Sequence, residues 1–411
     1  TDDNGCTATA QVVVEDASPE IVFERGALIG VGNSWQTINL TNSYTSPVVI
    51  ASVVIPDNSQ APVVTRVRNA GASSFEVKVQ QPGGATADTY SVQYFVVEEG
   101  VYDQATYGIT MEAIRANANL TAARGRWGNS YLEQRTYQNS YQNPVVLGQV
   151  MSENDQNWSV FWASANATRT GIPGASSFAA GKQVAEDPNR NRAAESIGYV
   201  VIESGSGTLG GLDFLAGVGS DIVRGQENSS LGYLYDAPNM LLLGGVISSA
   251  GMDGGDGGWA IFKADPIGSG GFRLAIEEDQ LRDSERKHTT EQVAFLVFGY
   301  QNSSTPVTPN PTEPVVQSED MLSIIPNGAI SLFPNPAQDY LSVVAQVERD
   351  ERIDVIITDV NGRALGRLQV QANANGDLRS QLDVRNYPRG IYLLYLVGEQ
   401  TKQVQKFVVS R

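Results

Sequence analysis

Through the first three quarters of the chain, apolar residues fall in short runs rich in Val, Ile, Phe and Tyr, each bounded by Gly, Asn, Ser or Pro. Runs of this length and composition predict β-strands joined by turns. The runs also repeat in a fixed order. The first copy reads Asn33-Ser-Trp35, Asn42-Ser-Tyr44, Pro47-Val-Val-Ile50, Ser73-Ser-Phe75 and Tyr94-Phe-Val-Val-Glu-Glu-Gly100; the second reads Asn129-Ser-Tyr131, Asn139-Ser-Tyr141, Asn143-Pro-Val-Val-Leu147, Ser176-Ser-Phe178 and Gly198-Tyr-Val-Val-Ile-Glu-Ser-Gly205. A looser third copy carries Tyr235-Asp-Ala-Pro-Asn-Met-Leu-Leu-Leu243, Gly257-Gly-Trp259 and Gln292-Val-Ala-Phe-Leu-Val-Phe-Gly299, and departs from the pattern between Leu212 and Tyr233. Asn-Ser-Tyr before Pro and an aliphatic run is a turn emptying into a buried strand, and the closing Tyr-x-Val-Val-Glu alternates between inward and outward faces. The expectation is three small antiparallel β-sandwiches in series, at 20–105, 106–206 and 207–300.

The pattern breaks after Gly299. Residues 301–320 are rich in Pro and Thr and without an apolar period, which predicts an extended linker. From 321 to 411 strands resume at Leu341-Ser-Val-Val344, Ile353-Asp-Val-Ile-Ile357, Gly390-Ile-Tyr-Leu-Leu-Tyr-Leu396 and Gln405-Lys-Phe-Val-Val409, with a hairpin turn signalled at Asn361-Gly362. The fold class is therefore all-β: tandem antiparallel sandwiches followed by an immunoglobulin-like β-sandwich.

Composition narrows the partners. A net charge of -17 over 411 residues, with no basic cluster to offset it, makes nucleic acid and anionic membrane surfaces poor partners. The longest apolar run, Met240-Leu-Leu-Leu-Gly-Gly-Val-Ile247, is strand-sized, so no membrane span is expected. The first residues, Thr1 to Cys6, show no Met and no leader, which for an exported protein suggests a chain cut from something longer; the single cysteine, Cys6, then reads as one that lost its partner. His288 is the only histidine, which argues against a Ser-His-Asp triad and any multi-histidine zinc site. Acidic residues are plentiful enough for two-carboxylate glycosidase chemistry, but none pair convincingly, and the chain is not expected to be an enzyme.

Two stretches resemble known families. Leu332-Phe-Pro-Asn-Pro-Ala337, Asp339-Tyr-Leu341, Ile357-Thr-Asp-Val-Asn-Gly-Arg363, Leu382-Asp-Val384, Pro388-Arg-Gly-Ile-Tyr392 and Lys406-Phe-Val-Val409 follow one another as in the type A sorting domain of type IX secretion cargo. That resemblance makes Pro334, Asn335, Pro336, Asn361, Gly362, Pro388, Gly390, Tyr392 and Lys406 the signal residues. It implies passage through an outer-membrane translocon to the cell surface or beyond. Val96-Val-Glu-Glu-Gly-Val-Tyr102, Gly198-Tyr-Val-Val-Ile-Glu-Ser-Gly-Ser-Gly207 and their neighbours are similar to H-type lectin domains, six-stranded sandwiches that bind sugars and commonly oligomerise. The first 18 residues, around Asp3-Asn-Gly-Cys-Thr-Ala-Thr-Ala10, resemble the end of a β repeat of large bacterial adhesins.

Candidate ligand contacts follow from these readings. Trp158-Ser-Val-Phe-Trp162 aligns with Trp259-Ala-Ile-Phe-Lys263, so Trp158 and Trp259 read as core, while Trp162, replaced by Lys263, reads as reaching an open edge or a partner. The charge run from Glu277 to Glu291 reads either as a solvated face laced by weak ion pairs or as a sugar-binding rim using Arg282, Asp283 and Arg286. Asp253 and Asp256, on a Gly-rich turn, are the candidate ligands for a calcium ion, the plain turn being the simpler reading. Together these point to the C-terminal part of a surface adhesin that binds glycans or another cell. A self-assembling filament tip built by homo-oligomerisation and an accessory region of a polysaccharide-degrading enzyme are the alternatives.

Overall fold

The computed structural model describes residues 19–56, 59, 61–84, 88–128, 130–165, 169–237, 240–269, 271–301, 330–333, 335–338, 340–359, 364–373, 376–385, 387–398 and 401–410. The N-terminal stretch with Cys6, the Pro/Thr-rich linker, Pro334 and the Asn361-Gly362 turn lie outside them. The fold is all-β. Three units share one strand plan. The first has β1 (Phe23–Val31), β2 (Gln36–Asn39), β3 (Pro47–Val54), β4 (Val64–Arg68), β5 (Ser74–Gln80) and β6 (Tyr90–Glu98), in two facing sheets ordered β1-β6-β3 and β2-β5-β4. After β7 (Gly100–Tyr102) and a one-turn helix α1 (Gln104–Tyr107) capped by Asp103, the second unit runs β8 (Met111–Ala118), β9 (Thr121–Ala122), β10 (Glu133–Thr136), β11 (Pro144–Val150), β12 (Val160–Ala165), β13 (Ser177–Gln183) and β14 (Glu195–Glu203). Its sheets are β8-β14-β11 and β10-β13-β12, with β9 as a parallel addition to β13. The third comprises β15 (Gly205–Leu209), β16 (Leu212–Val218), β17 (Tyr233–Tyr235), β18 (Met240–Ser249), β19 (Trp259–Phe262), β20 (Ile267–Ser269), β21 (Phe272–Glu277) and β22 (Val293–Gln301), again as β16-β22-β18, flanked by β15 and β20, facing β17-β21-β19, which a parallel β19–β3 bridge joins to the first unit's β1-β6-β3 as one six-stranded sheet.

Strand β5 shows why the sequence makes sandwiches: Phe75, Val77 and Val79 are fully buried while Glu76 and Lys78 alternate outward. Strand β3 is different, being buried at every position from Pro47 to Val54. A strand buried all round needs cover beyond its own sandwich. The cover is the other two units.

The units are not strung in series but close into a ring. Strands β3, β11 and β18 contact one another along a common axis, and each also packs on the last strand of a neighbour: β3 on β14, β11 on β22, β18 on β6. In their own sheets, Ala51, Gly148 and Ile247 stand opposite the equivalent ring positions Tyr94, Tyr199 and Phe295. Across the axis the side chain after each of them closes a cycle. Ser52 Oγ accepts from Ile247 N–H at 3.0 Å, Ser248 Oγ from Gly148 N–H at 3.0 Å, and Gln149 Oε1 from Ala51 N–H at 3.3 Å. Backbone donors that a free sheet edge would leave bare are thereby satisfied by side chains from the next unit. Beside this cycle lies a cavity of about 50 Å³, lined by Ser52, Gln149, Ser248, Thr65 and Trp259 among others. One continuous hydrophobic core contains residues of all three units, from Val49 and Phe95 through Leu147 and Val200 to Val246 and Leu296.

The C-terminal sandwich has sheets β23 (Ile330–Phe333), β24 (Tyr340–Gln346), β27 (Asp377–Asp383) in that order, and β26 (Ala364–Gln371), β25 (Arg352–Asp359), β28 (Gly390–Val397), β29 (Lys402–Val409). Its core is separate. Outward-facing Leu393 and Tyr395 bury against Leu243 of the third unit, and Lys402 Nζ lies 3.9 Å from Asp213.

Candidate functional site

The loops that connect strands three and four, and five and six, gather where units meet. In each of the last two units a glutamate at the start of the sixth strand clamps the three-four loop. Glu195 accepts from the N–H groups of Asn154 and Asp155 at 3.0 and 2.9 Å, and Glu291 from those of Asp253 and Gly254, both at 2.8 Å. The one-two loop of the preceding unit completes the clamp with an indole: Trp35 donates to Glu153 at 3.1 Å, beneath the Arg68 and Lys78 cations, and Trp127 donates to Gly255 O at 2.8 Å.

In the third unit this clamp holds the only histidine. His288, 4% exposed, places Nε2 2.8 Å from Glu291 Oε1 and Nδ1 2.5 Å from Glu278 Oε1. Burial pushes the imidazole pKa down, but the hydrogen bonds and charges of Glu278 and Glu291 outweigh it and hold the value at about 9. Burial raises Glu278 to about 7 against the pull of His288. The three groups thus form a staple in which Glu278 and Glu291 hold the imidazole in its protonated form. Gly254 permits it, since a Cβ there would stand 2.2 Å from His288 Cε1.

The candidate contacts distribute unevenly. Asp256 comes 3.9 Å from His288 Nδ1, and Asp256, Glu278 and His288 form a group within metal-ligand reach of one another, without Asp253. The group does not suit calcium: one member is a protonated nitrogen, and Nδ1 shares a proton with Glu278 at a spacing shorter than neighbouring ligands of one ion keep. Asp253 instead spends its backbone on Glu291 and Arg169, whose Nη2 donates to Asp253 O at 2.9 Å. Arg286 is not a rim residue. It is 3% exposed and forms a two-pronged ion pair with the fully buried Glu277, Nε to Oε1 at 2.6 Å, because strand β21 carries Glu277 inward and only a cation could accompany it. Arg282 and Asp283 are exposed. Trp162 does not reach an open edge: it is fully buried, donates to Gly251 O at 2.9 Å and meets Trp127 edge-on at 5.0 Å, because the third unit's 250–258 loop covers it.

A cleft of about 440 Å³ opens where the five-six loops of all three units converge. Gln81 comes from the first, Asp187 and Asn189 from the second, and Leu281 from the third, with Asn157 and Trp158 from the second unit's three-four loop. Gly83 seats the first loop on Leu281; it has φ 69°, and a Cβ there would lie 2.2 Å from Leu281 Cδ2. Asp187 is held by Arg192 at 2.6 Å and by Asn189 N–H at 2.8 Å. Trp158 is 2% exposed and packs tilted against Trp259 at 5.3 Å between ring centres, the Trp259 N–H donating to Val63 O, while the Trp158 N–H is buried with no partner among the described residues. Sequence reasoning missed both this cleft and the His288 staple. The lone histidine in the densest charge run was the available signal for the staple; the cleft had none, since it exists only once the ring closes.

The signal residues of the last sandwich serve its closure. Asn335 Oδ1 accepts from Val408 N–H at 2.9 Å, Ala337 N–H donates to Val408 O at 2.7 Å, and Tyr392 donates to Pro388 O at 2.6 Å while stacking on Phe407. Gly390 begins β28, and Lys406 stays exposed on β29. Residues 331–410 match the family described as the secretion system C-terminal sorting domain. This module is a sorting domain. The protein is accordingly type IX secretion cargo, exported across the outer membrane to the cell surface or the extracellular space. The chain is also similar to halomucin of Haloquadratum walsbyi, 27% identical over 292 residues, 67% of this chain; the match spans 3% of that relative's length. A solved structure of a biofilm associated protein BSP domain aligns over 98% of this chain and 84% of its own, with 7% identity and a TM-score of 0.17, too low to carry an argument. No helix among the described residues is long and apolar enough to cross a membrane.

Proposed function

We propose that the ring at 23–301 is the binding head of a surface adhesin that engages glycans or another cell, carried to the outside by its sorting domain. The observation that supports this most is the match of 331–410 to the sorting family, since a ring delivered outside meets other surfaces before anything else. The strand plan of each unit, three strands facing three, is the one the H-type lectin resemblance implies. Loops from different units converge at one end of the axis, the usual place for a binding site on a rigid scaffold. The test is binding of the purified full chain to a glycan array and to intact cells of several species. Retention on either supports the reading; blank results on both sink it.

A further inference from the structure

We propose that the end of the third unit around Leu243 is a docking surface for the sorting sandwich, and that the two stay together without a covalent link when the chain between them is cut. The sorting side carries half of the surface. In a two-layer sandwich one face of each antiparallel sheet is normally left to water. On β28 Tyr392, Leu394 and Leu396 point into the core, so Leu393 and Tyr395 point outward, yet they are only 8% and 5% exposed. The strand register widens this outward face. Tyr395 stands opposite Ile356 on β25 and Val404 on β29, and both pack on the same cluster. Leu243 covers the stripe, with Leu212 beside it.

The ring side departs from its two sister units at the same place. In the first unit a pair of carboxylates closes the loop between strands two and three: Glu24 accepts from the N–H groups of Thr41 and Asn42, and Glu98 from those of Thr45 and Ser46. Glu112 and Glu203 close the second unit's loop in the same way. The third unit has neither glutamate. Leu215 stands opposite Val297 as Glu24 does opposite Val96, and Gly299 follows Phe295 at the interval by which Glu98 follows Tyr94. The β18 ladder also slips at Leu243, the position that Pro47 and Pro144 hold in the other units. Arg25 of the first unit takes the Leu243 carbonyl at 2.9 Å and so pins the slip. Two polar caps have thus given way to an apolar end, and the sorting sandwich lays its apolar stripe over it with Lys402 towards Asp213. The sandwich has a core of its own, so cutting the chain between the two removes none of these contacts.

The experiment places a specific protease site between Thr305 and Thr312 of the full chain, cuts it, and passes the product through gel filtration at micromolar concentration. Both pieces are expected to elute together, at the position of the uncut chain. Leu243→Glu on the ring and Leu393→Glu on the sandwich should each weaken the association at least about a hundredfold, the effect of an uncompensated buried charge, and the pieces should then separate. Tryptophan fluorescence in urea checks that the ring of Leu243→Glu is folded; if it is not, Leu393→Glu, which leaves the ring untouched, decides. Separation of the unsubstituted pieces would overturn the docking. Pieces that stay together in both folded variants would overturn the surface. Either result leaves the adhesin reading to its own binding assays.

Discussion

The His288 staple makes a pH-dependent contribution whose size follows from its surroundings. Its folded pKa, about 9, exceeds the ordinary value of 6.5. A group raised on folding stabilises fully below its unfolded pKa and loses that contribution as pH climbs through the folded one. The whole shift corresponds to about 3 kcal/mol, of which about 2 kcal/mol disappears between pH 7.5 and 9.5. Glu278 and Asp279, both raised by burial to about 7, lose theirs earlier, between about 4.5 and 7; Lys182, lowered by burial, shifts stability the other way on the alkaline side, so the difference between wild type and His288→Gln is the reading that isolates the imidazole. All five tryptophans, from Trp35 to Trp259, lie in the ring and none in the sorting domain, so their fluorescence during urea unfolding reports the ring alone. Wild type should lose up to about 2 kcal/mol over that window, and its advantage over His288→Gln should narrow by a similar amount. A gap between wild type and His288→Gln that stays constant with pH would refute the assignment of an imidazolium.

Other substitutions test the ring itself. Trp162→Ala should cost about 3–5 kcal/mol in urea unfolding, the usual penalty for emptying a buried indole site; a change under about 1 kcal/mol would mean the indole is not enclosed. Arg286→Met strands the buried Glu277 carboxylate and should cost about 3–5 kcal/mol at pH 8, shrinking as pH falls and the acid protonates, since burial already raises its pKa. Ser248→Ala leaves the Gly148 N–H without its acceptor across the axis and should cost about 1–3 kcal/mol, readable as a lower urea midpoint. Light scattering of the full chain should give 44.1 kDa with or without calcium, because the axis closes within one chain and Asp253 and Asp256 do not converge; a trimer mass, or a calcium-driven change, would contradict that.

The strands were legible because each is a local pattern. Phe75, Val77 and Val79 alternate with charges, and Pro47 to Ile50 follow a turn, so both announce themselves without tertiary knowledge. The ring was not legible, because its decisive contacts are polar residues whose partners are backbone groups of another unit. Ser52 looks like any strand serine until Ile247 N–H is placed beside it. The same holds for Trp162, where replacement by Lys263 in the other copy suggested exposure; in fact both positions are buried, Trp162 beneath the third unit's loop and Lys263 with its Nζ turned to Gln226 at 2.9 Å. The run from Glu277 to Glu291 misled for a related reason. Dense mixed charge usually marks a solvated face, yet here Glu277, Arg286, His288 and Glu291 are all under 5% exposed, because each partner sits nine or ten residues away or across a loop.

Joining the three units in one chain changes what the axis can carry. In an oligomer of identical subunits, every position near the axis repeats the same residue, and any change appears three times. Here Ser52, Gln149 and Ser248 perform one task with different side chains, and the glutamate clamp works beside Ser152 in the second unit but beside His288 in the third. The five-six loops have diverged furthest, from Gly83 and Gly84 in the first unit to the charged 278–292 stretch in the third, and they are the loops that line the cleft. Covalent linkage also makes closure intramolecular, so the ring persists at dilutions that would separate subunits. One asymmetric cleft lined by all three units, held at any dilution, is a surface that a symmetric trimer could not build from three copies of a single loop.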